Sequence, residues 1–203
     1  GKPVITATQM LESMISNPRA TRAETSDVAN AVIDGSDAVM LSGETAVGKY
    51  PIVAVETMKR IIDGVEEQVG KGHSFTNVIL DNPNIEDAVT AAACRAAEVL
   101  NAKVIVAYTQ SGSTAMRLSK YRPRTRIIAL TPFEEIRRRI SIYWGIRSIL
   151  VHDIQNTDSM ADTAENLIVK NGHARKGDII VITLGTPLNE PGTTNLVNVH
   201  RIK

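Results

Sequence analysis

Residues 104–130 read VIVAYTQSGSTAMRLSKYRPRTRIIAL, and this stretch decides the fold of the second part of the chain. Val104–Tyr108 and Arg126–Leu130 are apolar runs of strand length, and Ser111–Lys120 between them predicts a helix. Neither run alternates polar with apolar residues, which is typical of strands buried on both faces. The stretch therefore predicts two parallel strands joined by a crossover helix.

The same alternation extends to both sides of this stretch. Asn84 is the predicted N-cap of a helix over residues 85–100, and Thr157 that of a helix ending near Asn171. The other predicted elements are a helix over Glu134–Trp144 and strands over Ile146–Val151, Ile179–Leu184 and Asn195–Ile202. A Pro/Gly loop before the last strand suits an antiparallel return. We therefore expect an α/β fold, a three-layer α/β/α sandwich with a mainly parallel sheet and an antiparallel last strand.

The N-terminal part predicts a strand–helix–strand–helix unit. Val4–Ala7 and Ala38–Leu41 are apolar and predict buried parallel strands, with a short helix over Gln9–Ser16 after the first. Thr21 and Glu24 form a predicted capping box. The expected apolar faces of the two longer helices are Val28, Ala29, Val32 and Ile33 for the first, and Ile52, Val55, Met58, Ile62 and Val65 for the second.

Periodicity fades over residues 70–84, and we place a domain boundary there, giving domains 1–72 and 73–203. The alternative is a long surface loop within one domain. The net charge is +1 overall, −3 for residues 1–72 and +4 for residues 73–203. This asymmetry indicates either anion binding in the second part or ordinary surface charge. Aromatic residues make up 3% of the chain, which disfavours nucleic-acid binding, and no stretch is long enough to predict a membrane span.

Cysteine and histidine usage predicts neither a disulfide nor a metal site. Cys94 is the single cysteine and lies on a predicted helix of small residues, where a buried structural thiol is expected rather than a nucleophile. A single thiol and the absence of a signal-peptide pattern favour the cytoplasm. The four histidines show no metal-ligand spacing; they are His73, His152, His173 and His200.

Two polar clusters follow the two N-terminal strands. Thr8 comes directly after the first strand, and Ser42 and Glu44 come directly after the second. Because ligands of parallel α/β folds bind at the carboxyl ends of strands, these side chains predict one shared site that holds water or relays a proton. The alternative is that Thr8 and Ser42 cap the following helices while Glu44 is solvated.

Several strings resemble those of the pyruvate kinase family. They are Lys2–Met14 (KPVITATQMLESM), Asn17–Ala31 (NPRATRAETSDVANA), Met40–Ala46 (MLSGETA), Tyr50-Pro51, Tyr121-Arg122-Pro123 and Thr193-Thr194-Asn195. The resemblance covers essentially the whole chain. It implies that residues 1–72 are the last two units of a (β/α)8 TIM barrel, a βαβα remnant, and that residues 73–203 are the C-terminal domain.

The resemblance implies phosphoryl transfer from phosphoenolpyruvate to ADP, giving pyruvate and ATP, with Mg²⁺ or Mn²⁺ and K⁺ as cofactors. The implied catalytic residues are Thr8, beside the carbon that is protonated, and Ser42 and Glu44, which order water for that proton. In the family, the metal and phosphate ligands come from earlier barrel units. We therefore expect this chain to bind none of these cofactors and to be inactive alone. Val47, where a lysine is common, weakens any nucleotide contact.

The loop at residues 109–114 is a second candidate site. Its hydroxyls and N–H groups at a helix N-terminus suit a phosphate. The resemblance implies an effector-phosphate loop made of Thr109, Ser111, Gly112, Ser113 and Thr114. Ser113 replaces a common basic residue, so AMP or a sugar monophosphate is as suitable an effector as fructose 1,6-bisphosphate. The alternative is that Ser111 only caps the helix.

The resemblance also implies assembly, because family members are usually homotetramers. Barrel strands without neighbours favour pairing with another chain, so we expect a dimer or larger homo-oligomer. The run Arg137–Arg139 is expected to be solvated or inter-subunit. The alternative function is a phosphate-ester-binding regulatory or oligomerisation module without catalysis.

Overall fold

The computed structural model describes residues 2–69, 83–151, 158–187 and 192–203. The chain divides into two compact units, Lys2–Ser74 and Phe75–Lys203. The boundary predicted between residues 72 and 73 lies outside the described residues, as does Thr157, the predicted N-cap. No helix of the described residues is both long enough and apolar enough to cross a membrane.

The first unit is a β–α–β–α arrangement with two parallel strands. Ile5 pairs with Ala38 and Thr6 with Val39, which confirms the predicted parallel pairing in a ladder of only two residue pairs. The helix predicted over Gln9–Ser16 is a single 3₁₀ turn. The elements are β1 (Ile5–Thr6), a 3₁₀ helix (Glu12–Ile15), α1 (Arg22–Ile33), β2 (Ala38–Val39), α2 (Gly43–Ala46) and α3 (Pro51–Val69).

The core of the first unit differs from the predicted apolar faces. Ala54 and Met58 are the buried side chains of α3, whereas Ile52 and Val55 are exposed. Of the apolar face predicted for α3, Met58 is therefore buried and Ile62 packs partly against the core, whereas Ile52 and Val55 lie on the exposed side of the helix. Val4 and Ile5 of the first predicted strand, and Ile33 of the predicted apolar face of α1, are about half exposed. The buried set is Met10, Leu11, Met14, Val28, Ala31, Ala54 and Met58.

The predicted capping box at the start of α1 is confirmed. The Thr21 hydroxyl accepts a hydrogen bond from the Glu24 N–H, and the Glu24 carboxylate accepts one from the Thr21 N–H. Asn84 and Asp87 form a second capping box at the start of the first helix of the other unit. Both boxes satisfy N–H groups that have no partner inside the helix, which is why these helices begin where the sequence predicts.

The second unit has a five-stranded sheet whose strands are, in spatial order, β5 (Ile146–Leu150), β4 (Arg126–Thr131), β3 (Val104–Tyr108), β6 (Ile179–Gly185) and β7 (Thr194–Arg201). All its neighbouring strands are parallel except β6 and β7, which confirms the predicted topology. The helix predicted over Glu134–Trp144 ends earlier, in a 3₁₀ turn over Ile140–Ile142. The helices of this unit are α4 (Ile85–Val99), α5 (Ser113–Ser119), α6 (Glu134–Arg139) and α7 (Asp158–Lys170).

Helices cover both faces of this sheet. Alternate strand residues such as Ile105 and Ile127 pack with α4, α5 and α6 in one core. Their neighbours along the strands, such as Val106 and Ile128, pack with α7 in a second core. Because successive side chains of a strand point to opposite faces, fully apolar strands require cover on both sides. The predicted three-layer α/β/α sandwich is therefore confirmed.

Candidate functional site

The two polar clusters lie at the same edge of the first unit. β1 and β2 are parallel, so the residues that follow them meet at their carboxyl ends. Thr8 and Ser42 are exposed there, whereas Glu44 is buried, with 4% of its surface accessible. The interpretation in which Glu44 is solvated is therefore wrong. Neither hydroxyl caps a helix: the N-cap of the 3₁₀ helix is Leu11, and Ser42 makes no side-chain cap on α2.

Glu44 joins the two clusters through its two carboxylate oxygens. Its Oε1 accepts a hydrogen bond of 2.9 Å from the N–H of Leu11, in the segment that follows β1. Its Oε2 accepts one of 2.9 Å from the N–H of Ser42, three residues after the end of β2. One buried side chain thus ties together the two segments that the sequence analysis placed in one site.

The environment of Glu44 keeps its carboxyl ionised. Burial alone raises its pKa, because a charged group loses hydration in the interior. The N–H groups of Glu44 itself, Ser42 and Leu11 lower the pKa by more, so it lies below the ordinary value. At neutral pH, Glu44 is therefore an anion that accepts hydrogen bonds rather than an acid that releases a proton.

In the second unit, two threonines of the loop at residues 109–114 point into the protein. The Thr109 hydroxyl accepts a hydrogen bond of 2.8 Å from the Gly112 N–H. The Thr114 hydroxyl lies 2.6 Å from that of Thr194, at the start of β7. Both loop threonines are buried. These two predicted site residues therefore shape the loop, and their hydroxyls already have partners within the protein.

Ser111 and Ser113 are the half-buried members of the same loop. Their hydroxyl oxygens lie 3.1 Å apart. The Ser111 hydroxyl also accepts a long hydrogen bond of 3.5 Å from the Ser113 N–H, which caps the helix weakly. The N-cap residue of α5 is Gly112. Two adjacent hydroxyls on a loop that turns into a helix provide donors for an anionic oxygen.

Arg139 is a loop contact that the sequence analysis missed. Its guanidinium donates a hydrogen bond to the backbone carbonyl of Ser111. Its neighbours Arg137 and Arg138 instead pair with Glu134 on their own helix, at 2.6 and 2.9 Å. The run of three arginines was the only signal in the sequence, and it could not indicate which member turns towards residue 111.

Gly112 explains how the loop and Arg139 come so close. Its φ of +87° lies in the left-handed region, and a Cβ on it would lie 2.6 Å from Cγ2 of Ile140, directly after α6. Only glycine accommodates both the backbone angle and the close approach. The loop can therefore rest against the C-terminal end of α6, where Arg139 is located.

Cys94 lies in the core of the second unit, 2% exposed. Burial raises the pKa of its thiol to about 12. A thiol that stays protonated and inaccessible is a poor nucleophile. This agrees with the structural role expected for Cys94.

Comparisons with known protein families give the chain its relatives. The model of the pyruvate kinase alpha/beta domain matches residues 87–200, and that of the pyruvate kinase barrel domain matches residues 1–55. The chain belongs to the pyruvate kinase family. The barrel match contains Thr8, Ser42 and Glu44, and the alpha/beta match contains the loop at residues 109–114 and Arg139.

Individual pyruvate kinases are similar to the chain over its whole length. It is 43% identical to the pyruvate kinase of Clostridium acetobutylicum and 49% identical to that of Staphylococcus aureus strain USA300. It is also similar to the crystal structure of a pyruvate kinase from Cryptosporidium parvum, with a TM-score of 0.88 and 36% identity. The chain covers 43% and 35% of the two curated relatives and 40% of the crystallised chain.

The described residues do not fit the metal site of a phosphotransferase. Among them, no group of three or more His, Cys, Asp or Glu side chains is arranged to hold a metal ion. Mg²⁺ binds carboxylates together with substrate phosphates. The oxygens of Glu44, the buried carboxylate at the strand ends, already accept hydrogen bonds from backbone N–H groups.

Proposed function

We propose that the chain is part of a pyruvate kinase that transfers a phosphoryl group from phosphoenolpyruvate to ADP, giving pyruvate and ATP. The observation that carries this proposal is the bridge that Glu44 makes between Leu11 and Ser42 within a segment that matches the barrel domain. Mg²⁺ or Mn²⁺ and K⁺ belong to the parent enzyme and neutralise charge during the transfer. As part of a glycolytic enzyme, the chain is proposed to be cytoplasmic.

In this proposal, the first unit handles the proton rather than the phosphoryl group. Loss of the phosphoryl group leaves an enolate, which becomes pyruvate when its methylene carbon gains a proton. The exposed hydroxyls of Thr8 and Ser42 lie at the strand ends, where they can orient a water or pass on its proton. Glu44, as a buried anion, holds the Ser42 backbone and keeps the hydroxyl in place.

The activity of the isolated chain tests whether its first unit handles only the proton and leaves the phosphoryl group to the rest of the enzyme. The 203-residue chain should show no formation of pyruvate from phosphoenolpyruvate and ADP with Mg²⁺ and K⁺ present. A longer chain that joins these residues to the remaining barrel units should be active. Robust turnover by the 203-residue chain would contradict the proposal.

Substitutions in the longer chain test the residue roles. Ser42→Ala and Thr8→Val should each lower kcat by about 10²-fold, the usual contribution of a group that transfers or orients a proton. Thr25→Val is the matched control, because the Thr25 hydroxyl is exposed on α1 and, among the described residues, bonds only to the Thr21 carbonyl. Unchanged kcat in both site variants would remove Thr8 and Ser42 from the mechanism.

For the second unit, the proposal is a binding site for a phosphorylated effector at Ser111, Ser113 and Arg139, shaped by Thr109, Gly112 and Thr114. Two adjacent hydroxyls and a guanidinium at one loop support a ligand with phosphate oxygens. One basic side chain suits one phosphate group, so AMP or a sugar monophosphate is the preferred class over a bisphosphate.

Thermal unfolding with AMP, sugar monophosphates and fructose 1,6-bisphosphate tests this site. A ligand present at 100 times its Kd should stabilise the chain by about 2.7 kcal/mol. Ser111→Ala and Arg139→Gln should each reduce the shift in Tm, whereas Arg138→Gln, which within the described part of the chain loses only a contact with Glu134, should not. If no phosphate ester raises the Tm, the effector proposal fails and an assembly role without a ligand is favoured.

A homo-oligomer is the proposed assembly, a tetramer by analogy with the family. β1 and β2 pair with each other in a sheet of two strands, and Val4 and Ile5 on β1 and beside it are half exposed. Strands with unpaired edges tend to associate with other strands. Light scattering at high concentration should show a dimer or larger species, and a clean monomer would contradict this proposal.

A further inference from the structure

The 3₁₀ helix Glu12–Ile15 is held by two carboxylates that come from other elements. Glu44 Oε1 accepts a hydrogen bond from the N–H of Leu11, the N-cap residue of this helix. Glu24 Oε1 accepts one of 2.7 Å from the N–H of Ser13. Both N–H groups belong to the first turn, where a helix supplies no internal partners, and bonds to ionised acceptors are the stronger kind.

Glu24 does more than complete the capping box of α1. Its Oε2 accepts hydrogen bonds from the Ser13 hydroxyl at 2.5 Å, the Thr21 N–H at 2.7 Å and the Thr21 hydroxyl at 2.9 Å. A capping box requires only the contacts with Thr21. The two bonds to Ser13 are additional, and they fasten the start of α1 to a helix that lies eleven residues earlier in the chain.

The two carboxylates also affect each other electrostatically. Burial raises the pKa of Glu24, but the bonds from Ser13 and Thr21 lower it by more, so its net shift is downward. The negative charge of Glu24 is in turn one of the influences that raise the pKa of Glu44. Two nearby anions repel, and here hydrogen-bond donors from the same short helix stabilise both.

The far end of the 3₁₀ helix contacts the segment that contains Ser42. The Lys49 N–H donates to the Ile15 carbonyl at 2.8 Å. A Cβ on Gly43 would lie 2.9 Å from Cδ1 of Ile15, so the backbone beside Ser42 passes directly against this side chain. A displacement of the helix would therefore shift the backbone on which the Ser42 hydroxyl stands.

We propose that Glu24 and Glu44 form a carboxylate clamp on the 3₁₀ helix, and that Glu24 is a positioning residue for the site at Thr8 and Ser42. Glu24 acts through Ser13 and the helix, and it does not touch the reacting atoms. The clamp is a property of the described first unit, whereas its effect on turnover rests on the proposed function.

An NMR titration of the 203-residue chain tests the clamp without any activity. The amide protons of Leu11 and Ser42 should share one acid transition, that of Glu44, and those of Ser13 and Thr21 should share another, that of Glu24. In Glu24→Gln, the Ser13 and Thr21 transition should disappear, and the Leu11 and Ser42 transition should move to lower pH. If Ser13 does not titrate with Thr21, or if Glu24→Gln leaves the Glu44 transition in place, the clamp is wrong.

Glu12→Gln is the matched control for this titration. Glu12 lies on the same helix but is exposed, and its carboxylate accepts a bond from the Gln9 side chain. The substitution removes one negative charge without touching Ser13 or Thr21. It should leave the pH of both acid transitions unchanged. If Glu12→Gln and Glu24→Gln displace the Glu44 transition equally, the loss of one negative charge explains the displacement, and the clamp is wrong.

Kinetics of the longer, active chain test the positioning role. Glu24→Gln should lower kcat by at least about 10-fold while the KM for phosphoenolpyruvate stays within about twofold, since small displacements of a catalytic group slow the chemical step. Ser13→Ala should produce a smaller loss of the same kind, and Glu12→Gln none. Wild-type kcat in a Glu24→Gln variant whose titration shows the clamp broken would refute the positioning role. The proposed function is judged separately, from Ser42→Ala and Thr8→Val.

Discussion

The hydroxyl oxygens of Thr114 and Thr194 lie 2.6 Å apart in the buried part of the second unit, although 80 residues separate them in sequence. Thr114 is in the first turn of α5, and Thr194 is the first residue of β7. The pair therefore fastens the candidate effector loop to the antiparallel strand.

Thr114→Ala should reduce the free energy of unfolding by about 1–2 kcal/mol, because it leaves the Thr194 hydroxyl buried without this partner. Ser111→Ala should change it by less than about 0.5 kcal/mol, because Ser111 is half-buried and bonds weakly within the loop. Urea unfolding of the two variants checks the difference. Equal losses of unfolding free energy in the two variants would show that the Thr114–Thr194 contact does not contribute to stability.

Gly112→Ala should be clearly more destabilising than Gly145→Ala. Both glycines have positive φ, so both substitutions strain the backbone by about 1 kcal/mol. Only at Gly112 does a Cβ also collide with Ile140, whereas a Cβ on Gly145 meets nothing within 4 Å. Overpacking of this kind adds about 1–3 kcal/mol. Equal urea midpoints for the two variants would contradict the close approach.

Acid should destabilise the first unit by protonating Glu24 and Glu44. Both pKa values are lowered in the folded protein, so the stabilisation is present above the unfolded value of about 4.3 and is lost as the pH falls through the folded values. At pH 6, the Glu24→Gln and Glu44→Gln variants should be less stable than the wild type. Faster amide hydrogen exchange at Met14 and Val28 measures this loss. The difference in stability between each variant and the wild type should narrow below pH 4. A difference that stays constant with pH would mean that these carboxylates do not cause the acid destabilisation.

Cys94 should resist thiol reagents until the second unit unfolds. Its thiol is buried, and a pKa of about 12 leaves almost no thiolate at pH 8. Ellman's reagent should therefore react at the rate of unfolding in the native chain and at once in denaturant. A Ser16→Cys variant provides an exposed thiol as a positive control, since Ser16 lies at the surface. Rapid reaction of native Cys94 would contradict its burial.

Local patterns predicted most of the secondary structure. The run Val104–Tyr108 is β3 with the predicted limits, and the Thr21–Glu24 and Asn84 caps start α1 and α4 where expected. Apolar runs and caps can be recognised from the sequence because their causes lie within a few residues. The buried face of α3 could be predicted only in part, because it depends on how α1 packs against the helix: Met58 lay on the predicted apolar face, whereas Ala54 did not.

The candidate sites, too, were predicted from the sequence only in part. The strings around Thr8, Ser42 and Glu44 were sufficient to predict the family and one shared site after two parallel strands. Nothing near Glu44 in the sequence indicated that its oxygens would bind the Leu11 and Ser42 N–H groups, or that Glu24 would reach Ser13. The turn of Arg139 towards Ser111 was equally unpredictable, because three adjacent arginines have the same local pattern.

By itself, the sequence determined the α/β class, the parallel sheet with its antiparallel last strand and membership of the pyruvate kinase family, because these depend on short-range patterns and literal strings. Only the tertiary structure decided that Glu44 is a buried anchor, that Thr109 and Thr114 face inward and that Arg139 joins the loop. A side chain's partners and burial depend on residues distant in sequence, and folding alone brings these together.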